Sequence, residues 1–444
     1  MSETSTSKPA AKGRVVFIDQ ARALAILMML FGHSLDRFLG EPWRSGQLYG
    51  DYQFVRGITS ALFLMVSGFS FVVASFGHWE DYIRWSPRLW GRVRRIALIF
   101  LLGYVLHLWA PTLTQSVHWF SPGNWERFLR FDVLQNIALG LTLLHVLALV
   151  VRRRERFWKA ALAALAVVLL LAPLTYHPQL DARLPAGLAA AVNLYHLSRF
   201  PVVPFTGYLL LGAIFGHWFW SLRRSGSEGR VIAALAGCGA LFLLFEHVIR
   251  SWVDGGLFPY STPAAHMPGN TFARAGCAML AIGGLYLLGR YKLVLRKLSF
   301  ILSKDSLTIY FVHLGLVYGG LSMPSMFRSH AHRMTPLQAA AWIASLVAAM
   351  TLMAWGIGWL RDNRPRWLSG LRHVLLVGGL TAFALWPRLT ATRVALSLAV
   401  GIALVLIRER RRLMAAGRPD PLRTAISALT GIRRRLQRPL SPSV

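Results

Sequence analysis

The stretch Val16–Phe38, VFIDQARALAILMMLFGHSLDRF, decides the fold. It is long and apolar enough to cross a bilayer as one helix, which takes about 20 residues. Yet it also carries Asp19, Arg22, His33 and Asp36. At about 100° per residue, the eleven steps from Arg22 to His33 return to within roughly 20° of the start and rise about 16 Å. Asp19 falls about 40° from His33 on the same reckoning, and Asp36 is one turn beyond it. The opposite face is Ala, Leu, Ile and Met. Ionisable side chains inside a bilayer are costly, so a polar stripe on such a helix points to function.

The rest of the chain repeats the length without the stripe. Of 444 residues, 55% are hydrophobic and 15% charged, whereas soluble domains carry about a quarter charged residues. Apolar runs occupy 16–38, 53–76, 93–110, 131–150, 157–175, 200–221, 231–250, 272–289, 306–322, 337–360, 371–386 and 391–407. The expectation is an all-α, polytopic membrane protein of about twelve spans. Residues 1–15 form an N-terminal tail and 16–360 a ten-helix core. A hairpin over 361–407, with Pro387 in its tight turn, and a basic tail over 408–444 complete the chain. No small-residue cleavage site follows the first run, so it reads as a retained signal anchor.

Charge orients the spans. With the N-terminus inside and strict alternation, the inner segments hold 35 of the 49 Lys and Arg, and the outer segments 13. Positive residues favour the cytoplasmic side, and no reversal occurs along the chain, which predicts N-in, C-in. The net charge of +31 is therefore a topology signal. Its scattered clusters form no continuous basic face, which argues against nucleic acid. Leu422 to Leu436 place apolar residues at helical spacing, fitting either a solvated tail or an in-plane helix on membrane lipid. The two cysteines, Cys238 and Cys277, lie in apolar runs and exclude a disulfide framework or cysteine metal site. The scattered histidines suggest no metal.

The stripe supports two readings. Asp19 and Arg22 either form a helix-entry pair that snorkels to the headgroups or belong to a site. His33 is either a buried histidine satisfied by a carbonyl or Asp36, or a general base, a task its ordinary pKa suits, with Asp36 to orient it. Ser67-Gly68 in the second run lets backbones approach closely. Arg84, Arg88, Arg92, Arg94 and Arg95 cluster at the start of the third run, where Arg92 and Arg95, one turn apart, make a two-pronged anion site or merely obey topology. At the opposite ends Asp132, Gln135, Arg199, Glu246, Arg250, Asn270 and Arg274 share a depth that fits either an outward-facing polar pocket or exposed loop ends. Tyr310 and His313 share a helix face, and a helix–helix hydrogen bond is the simpler reading for His313. Phosphate-loop, dinucleotide, metalloprotease and nucleophile-elbow patterns are missing.

Together these residues resemble a family. Arg22-x10-His33, Arg92-x-x-Arg95, Val66-Ser67-Gly68-Phe69 and Leu307–His313 are similar to motifs of the membrane-bound acyltransferase family 3. Phe131–Leu139 (FDVLQNIAL) and Phe200–Gly212 (FPVVPFTGYLLLG) resemble the related heparan-α-glucosaminide N-acetyltransferase group. The likeness runs from about residue 14 to 360. One departure is Ala23, where many relatives have Gly. The resemblance implies a bacterial cytoplasmic-membrane enzyme that moves an acyl group, usually acetyl, from cytoplasmic acyl-CoA to a hydroxyl or amine of an extracytoplasmic glycan. It implies His33, aided by Asp36, as the catalytic group and Arg22, Arg88, Arg92 and Arg95 as the acyl-CoA site. Asp132, Gln135, Arg199, Glu246, Arg250 and Arg274 then face the acceptor. The competing expectation is a secondary transporter or flippase, which also places polar residues at midplane.

Overall fold

The computed structural model describes residues 15–108, 112–194, 196–223, 225–251, 268–290, 296–318, 330–385 and 390–415. It is helical, and no strand occurs among the described residues. The chain divides into two compact units, residues 1–109 with 120–355 and residues 110–119 with 356–444.

The principal helices are α1 (Val16–Phe38), α2 (Gln47–Phe76), α3 (Pro87–Val105), α4 (Val133–Val151), α5 (Phe157–Thr175), α6 (Val202–Arg223), α7 (Glu228–Ile249), α8 (Pro268–Arg290), α9 (Arg296–Lys304), α10 (Ser306–Tyr318), α11 (Pro336–Asn363), α12 (Pro365–Leu385) and α13 (Ala391–Ala415). Nine described helices are long and apolar enough to cross a membrane, or ten if the bent pair α9–α10 counts as one span. The chain is thus a polytopic membrane protein. The other two expected segments, α3 and α13, are also helical; Arg88, Arg92, Arg94 and Arg95 keep α3 outside that set. Helix α3 starts at Pro87 instead of 93. Ser86 caps it, accepting from the Leu89 amide at 3.1 Å, and proline suits the first turn, so the arginine cluster lies within the helix. The run expected over 306–322 is helix α10 as far as it is described, but the connection expected over 290–305 carries α9, which meets α10 at a 74° bend. Residues 319–322 lie outside the described residues. The connection expected over 361–373 is mostly helix, because α12 begins at Pro365, two residues after α11 ends.

In the first unit α6 is the most enclosed span. It packs against α2 through a seam of glycines. A Cβ on Gly68 would fall 1.8 Å from the Leu209 carbonyl oxygen, and one on Gly212 would fall 1.9 Å from that of Met65. Only hydrogen fits at either place, so the close-approach reading of Ser67-Gly68 holds. At the N-terminal end of α1, Phe17 meets Phe69, Phe219 and Tyr286 edge-on, with ring centroids 5.7, 5.4 and 5.4 Å away. Such edge-to-face contacts add to area burial. This knot fixes α1 against α2, α6 and α8 and so sets the height of its polar stripe.

In the second unit α12 and α13 run antiparallel. Gly378 lies against Leu398, and Gly401 against Val374, whose carbonyl oxygen would be 2.7 Å from an added Cβ. Of the tail over 408–444, the described part continues α13 to Ala415; the segment from Leu422 to Leu436 lies outside the described residues.

Candidate active site

All four ionisable residues of the α1 stripe line one cavity of about 1920 Å³. Single small-molecule sites are usually ~300–1,000 Å³, so this cavity suits an extended ligand or two ligands end to end. Arg22, Arg92, Arg95 and Lys304 border it toward one end, His33 and Tyr318 farther along, and Asp132, Arg199 and Arg274 toward the other.

At the arginine end, Arg22 donates from Nη2 to Ser70 Oγ at 2.5 Å and lies 3.8 Å from Asp19. Ser303 donates to Asp19 at 2.8 Å, which ties α1 to the last turn of α9. Arg22 therefore spans toward α2 and does not simply reach for headgroups. Arg92 donates to Ser75, and its guanidinium sits over two rings, 4.0 Å from the Tyr82 centroid and 4.7 Å from that of Phe71. Cation–π contacts of this kind hold a guanidinium in place. Arg95 is exposed and borders the cavity. Arg88 does not border it: this side chain pairs with Asp81 and contacts His78, which removes it from the expected acyl-CoA set.

His33 does not use Asp36. Its Nδ1 is 2.9 Å from the Tyr318 hydroxyl, with the rings edge-on at 5.5 Å. Asp36 is taken by Arg56 and by Tyr52, whose hydroxyl donates to it at 2.9 Å. With Tyr318 on its Nδ1 and Asp36 bonded to Arg56 and Tyr52, the expected His33–Asp36 pair is corrected to His33–Tyr318. The helix–helix hydrogen bond expected of His313 is corrected too. Its Nδ1 donates within α10 to the Ile309 carbonyl at 2.9 Å. Its ring lies 5.5 Å from that of His33, and its Nε2 is buried without a partner.

At the far end, Asp132 caps α4, accepting from the Val133 amide at 2.8 Å, and faces His107 at 3.9 Å. Gln135 is buried against Gly103 with neither end of its carboxamide bonded. Arg274 is 9% exposed and lies on Gly57, where a Cβ would come within 2.3 Å of its Nε. Glu246 and Arg250 depart from expectation. They pair with each other at 2.8 Å, four residues apart on α7, and neither borders the cavity. The sequence reading missed Tyr318, Arg56, Tyr52, His107 and Arg130, all of which border the cavity except Tyr52. An arginine inside the second apolar run was the available signal for Arg56.

The two stretches that suggested the acetyltransferase group are joined to each other. Asn136 donates to the Phe200 and Pro201 carbonyls at 3.1 and 2.8 Å, and Thr206 donates to Asn136 at 3.3 Å. The Arg199 amide donates to the Phe131 carbonyl at 2.9 Å. Residues 14–248 match the family described as heparan-alpha-glucosaminide N-acetyltransferase, catalytic. The match covers more than half of the chain. The chain belongs to this family. No curated protein matches the chain. As a member of the N-acetyltransferase family the protein is an acetyltransferase-like membrane enzyme, and His33, Arg22, Arg92, Asp132 and Arg199 all fall inside the matched region. Among the described residues no cluster of three His, Cys, Asp or Glu could hold a metal ion.

Proposed function

We propose that the protein carries an acetyl group from cytoplasmic acyl-CoA to a hydroxyl or amine of a glycan on the extracytoplasmic side of a bacterial inner membrane. The observation that carries this reading is one cavity bordered by both Arg92–Arg95 and Asp132–Arg199–Arg274, with His33 on its wall. The inner side is assigned from the distribution of Lys and Arg along the sequence. Arg22, Arg92, Arg95 and Lys304 supply positive charge for the CoA phosphates. His33 then meets the thioester. Its Nε2 takes the acceptor's proton as the acceptor oxygen or nitrogen attacks the acyl carbonyl. The C–O or C–N bond forms, the C–S bond breaks, and the proton passes to the departing thiolate. In the two-step variant His33 itself carries the acyl group between the same partners.

A transporter reading draws on the break between α9 and α10, since broken helices border transporter sites. Release of CoA from acetyl-CoA by the purified protein in detergent separates the two. Acceptor-stimulated release supports acyl transfer. Absence of release with any acceptor, alongside substrate uptake into vesicles, would favour transport.

The arginine end makes a separate prediction. Removing both guanidinium groups, and with them two charge-assisted hydrogen bonds to phosphate, should weaken CoA binding about 100-fold. The Arg92→Ala/Arg95→Ala variant, checked for monodispersity and titrated with CoA calorimetrically, tests this. Unaltered affinity would remove these arginines from the site. Arg95→Ala alone, which leaves the Tyr82–Phe71 clamp intact, should weaken it about 10-fold.

A further inference from the structure

We infer that Tyr318 is the positioning residue for His33, so that the reacting pair is an imidazole held by a neutral phenol instead of a carboxylate. The inference rests on the acyl-transfer reading and adds a residue to it.

The geometry is specific. Tyr318 ends α10 and reaches back 285 positions in sequence to place its hydroxyl 2.9 Å from His33 Nδ1. The edge-on ring contact at 5.5 Å leaves the imidazole little freedom to turn. The other candidates for this role are engaged elsewhere. Asp36 serves Arg56 and Tyr52. His313 makes no hydrogen bond to His33: its Nδ1 donates to the Ile309 carbonyl, its Nε2 bonds nothing, and it meets His33 only through a ring contact at 5.5 Å.

The hydroxyl oxygen can accept from Nδ1–H, which frees the Nε2 lone pair for the acceptor's proton. When that proton arrives on Nε2, the Nδ1–H bond to Tyr318 becomes charge-assisted and strengthens. A neutral phenol stabilises the imidazolium less than a carboxylate would, because it contributes no opposite charge. The arrangement therefore favours quick transfer of the proton onward to the CoA thiolate over storage on His33. Two members of α10, Tyr318 beside Nδ1 and His313 against the ring, thus shape the histidine of α1.

Tyr318→Phe keeps the ring and removes only the oxygen. With acetyl-CoA and an accepting glycan, kcat should fall about 10- to 100-fold, the range of a hydrogen bond to a charged group. KM for acetyl-CoA and the unfolding midpoint in detergent should stay unchanged. In a His33→Gln background the same change should cost nothing further, because the two residues act as one unit. A kcat equal to that of the parent protein, or an equal loss in both backgrounds, would overturn the inference. If Tyr318→Phe is not monodisperse, 3-fluorotyrosine at 318 replaces it; that analogue makes the hydroxyl more acidic, and an unchanged kcat would again count against the assignment. Failure of the broader reading looks different: His33→Gln itself would then keep full turnover.

Discussion

His33→Ala should lower acyl-transfer turnover by about three orders of magnitude, within the range for loss of a positioned general base. The removed imidazole borders the cavity between the arginine end and the Asp132 end. The same loss is expected whether Nε2 takes a proton or carries the acyl group, because both routes use that nitrogen. Affinity for CoA should hold, since Arg92 and Arg95 belong to α3 and Arg22 lies about three turns from His33 on α1. The check is steady-state CoA release together with calorimetric binding on the same preparation. A folded His33→Ala variant that turns over normally would end both roles for this residue. A variant that loses binding and turnover together would show that His33 supports the cavity more than the chemistry.

The second large effect concerns folding. Gly212→Val should leave little or no monodisperse protein. The first added carbon would overlap the Met65 backbone, with its carbonyl oxygen 1.9 Å away and its Cα 2.9 Å away. Backbone cannot swing aside as a flexible side chain does, so α2 and α6 would have to separate along their length. Overpacking ordinarily costs about 1–3 kcal/mol and occasionally more; a clash of backbone with backbone belongs at the upper end. Gly68→Val should behave alike, against Leu209. Gly237→Ala serves as the comparison, because nothing lies within 4 Å of a Cβ there. Size-exclusion profiles and thermal midpoints in detergent measure the difference. Equal behaviour of the Gly212 and Gly237 variants would mean that the seam does not hold the unit together.

Much of the architecture was legible because bilayers demand long apolar runs. Helix α1 spans the same residues as the apolar run that opens the chain, and its Arg22 and His33 both border the cavity as their shared face implied. The bend at Asp305 was not legible. Helix α9 carries Arg296, Lys297 and Lys304 in nine residues, so by charge it reads as part of the connection, and no helix was expected there to meet α10 at an angle. Glu246 and Arg250 could have been discounted from spacing alone, since four residues on a helix is the distance at which opposite charges satisfy each other. The His33–Tyr318 contact had no local signature at all. It joins two helix faces 285 residues apart, and nothing in either segment names the other. Asp36 misled because a carboxylate one turn from a histidine resembles a catalytic partner, while its actual partner, Arg56, lies on another helix, α2.

The elbow before α10 has a consequence for how the site is held. Residues 303–306, at the 74° bend, line the cavity, and Ser303 donates to Asp19 of α1. A change of angle at this bend would therefore move the cavity wall and the head of the α1 stripe together.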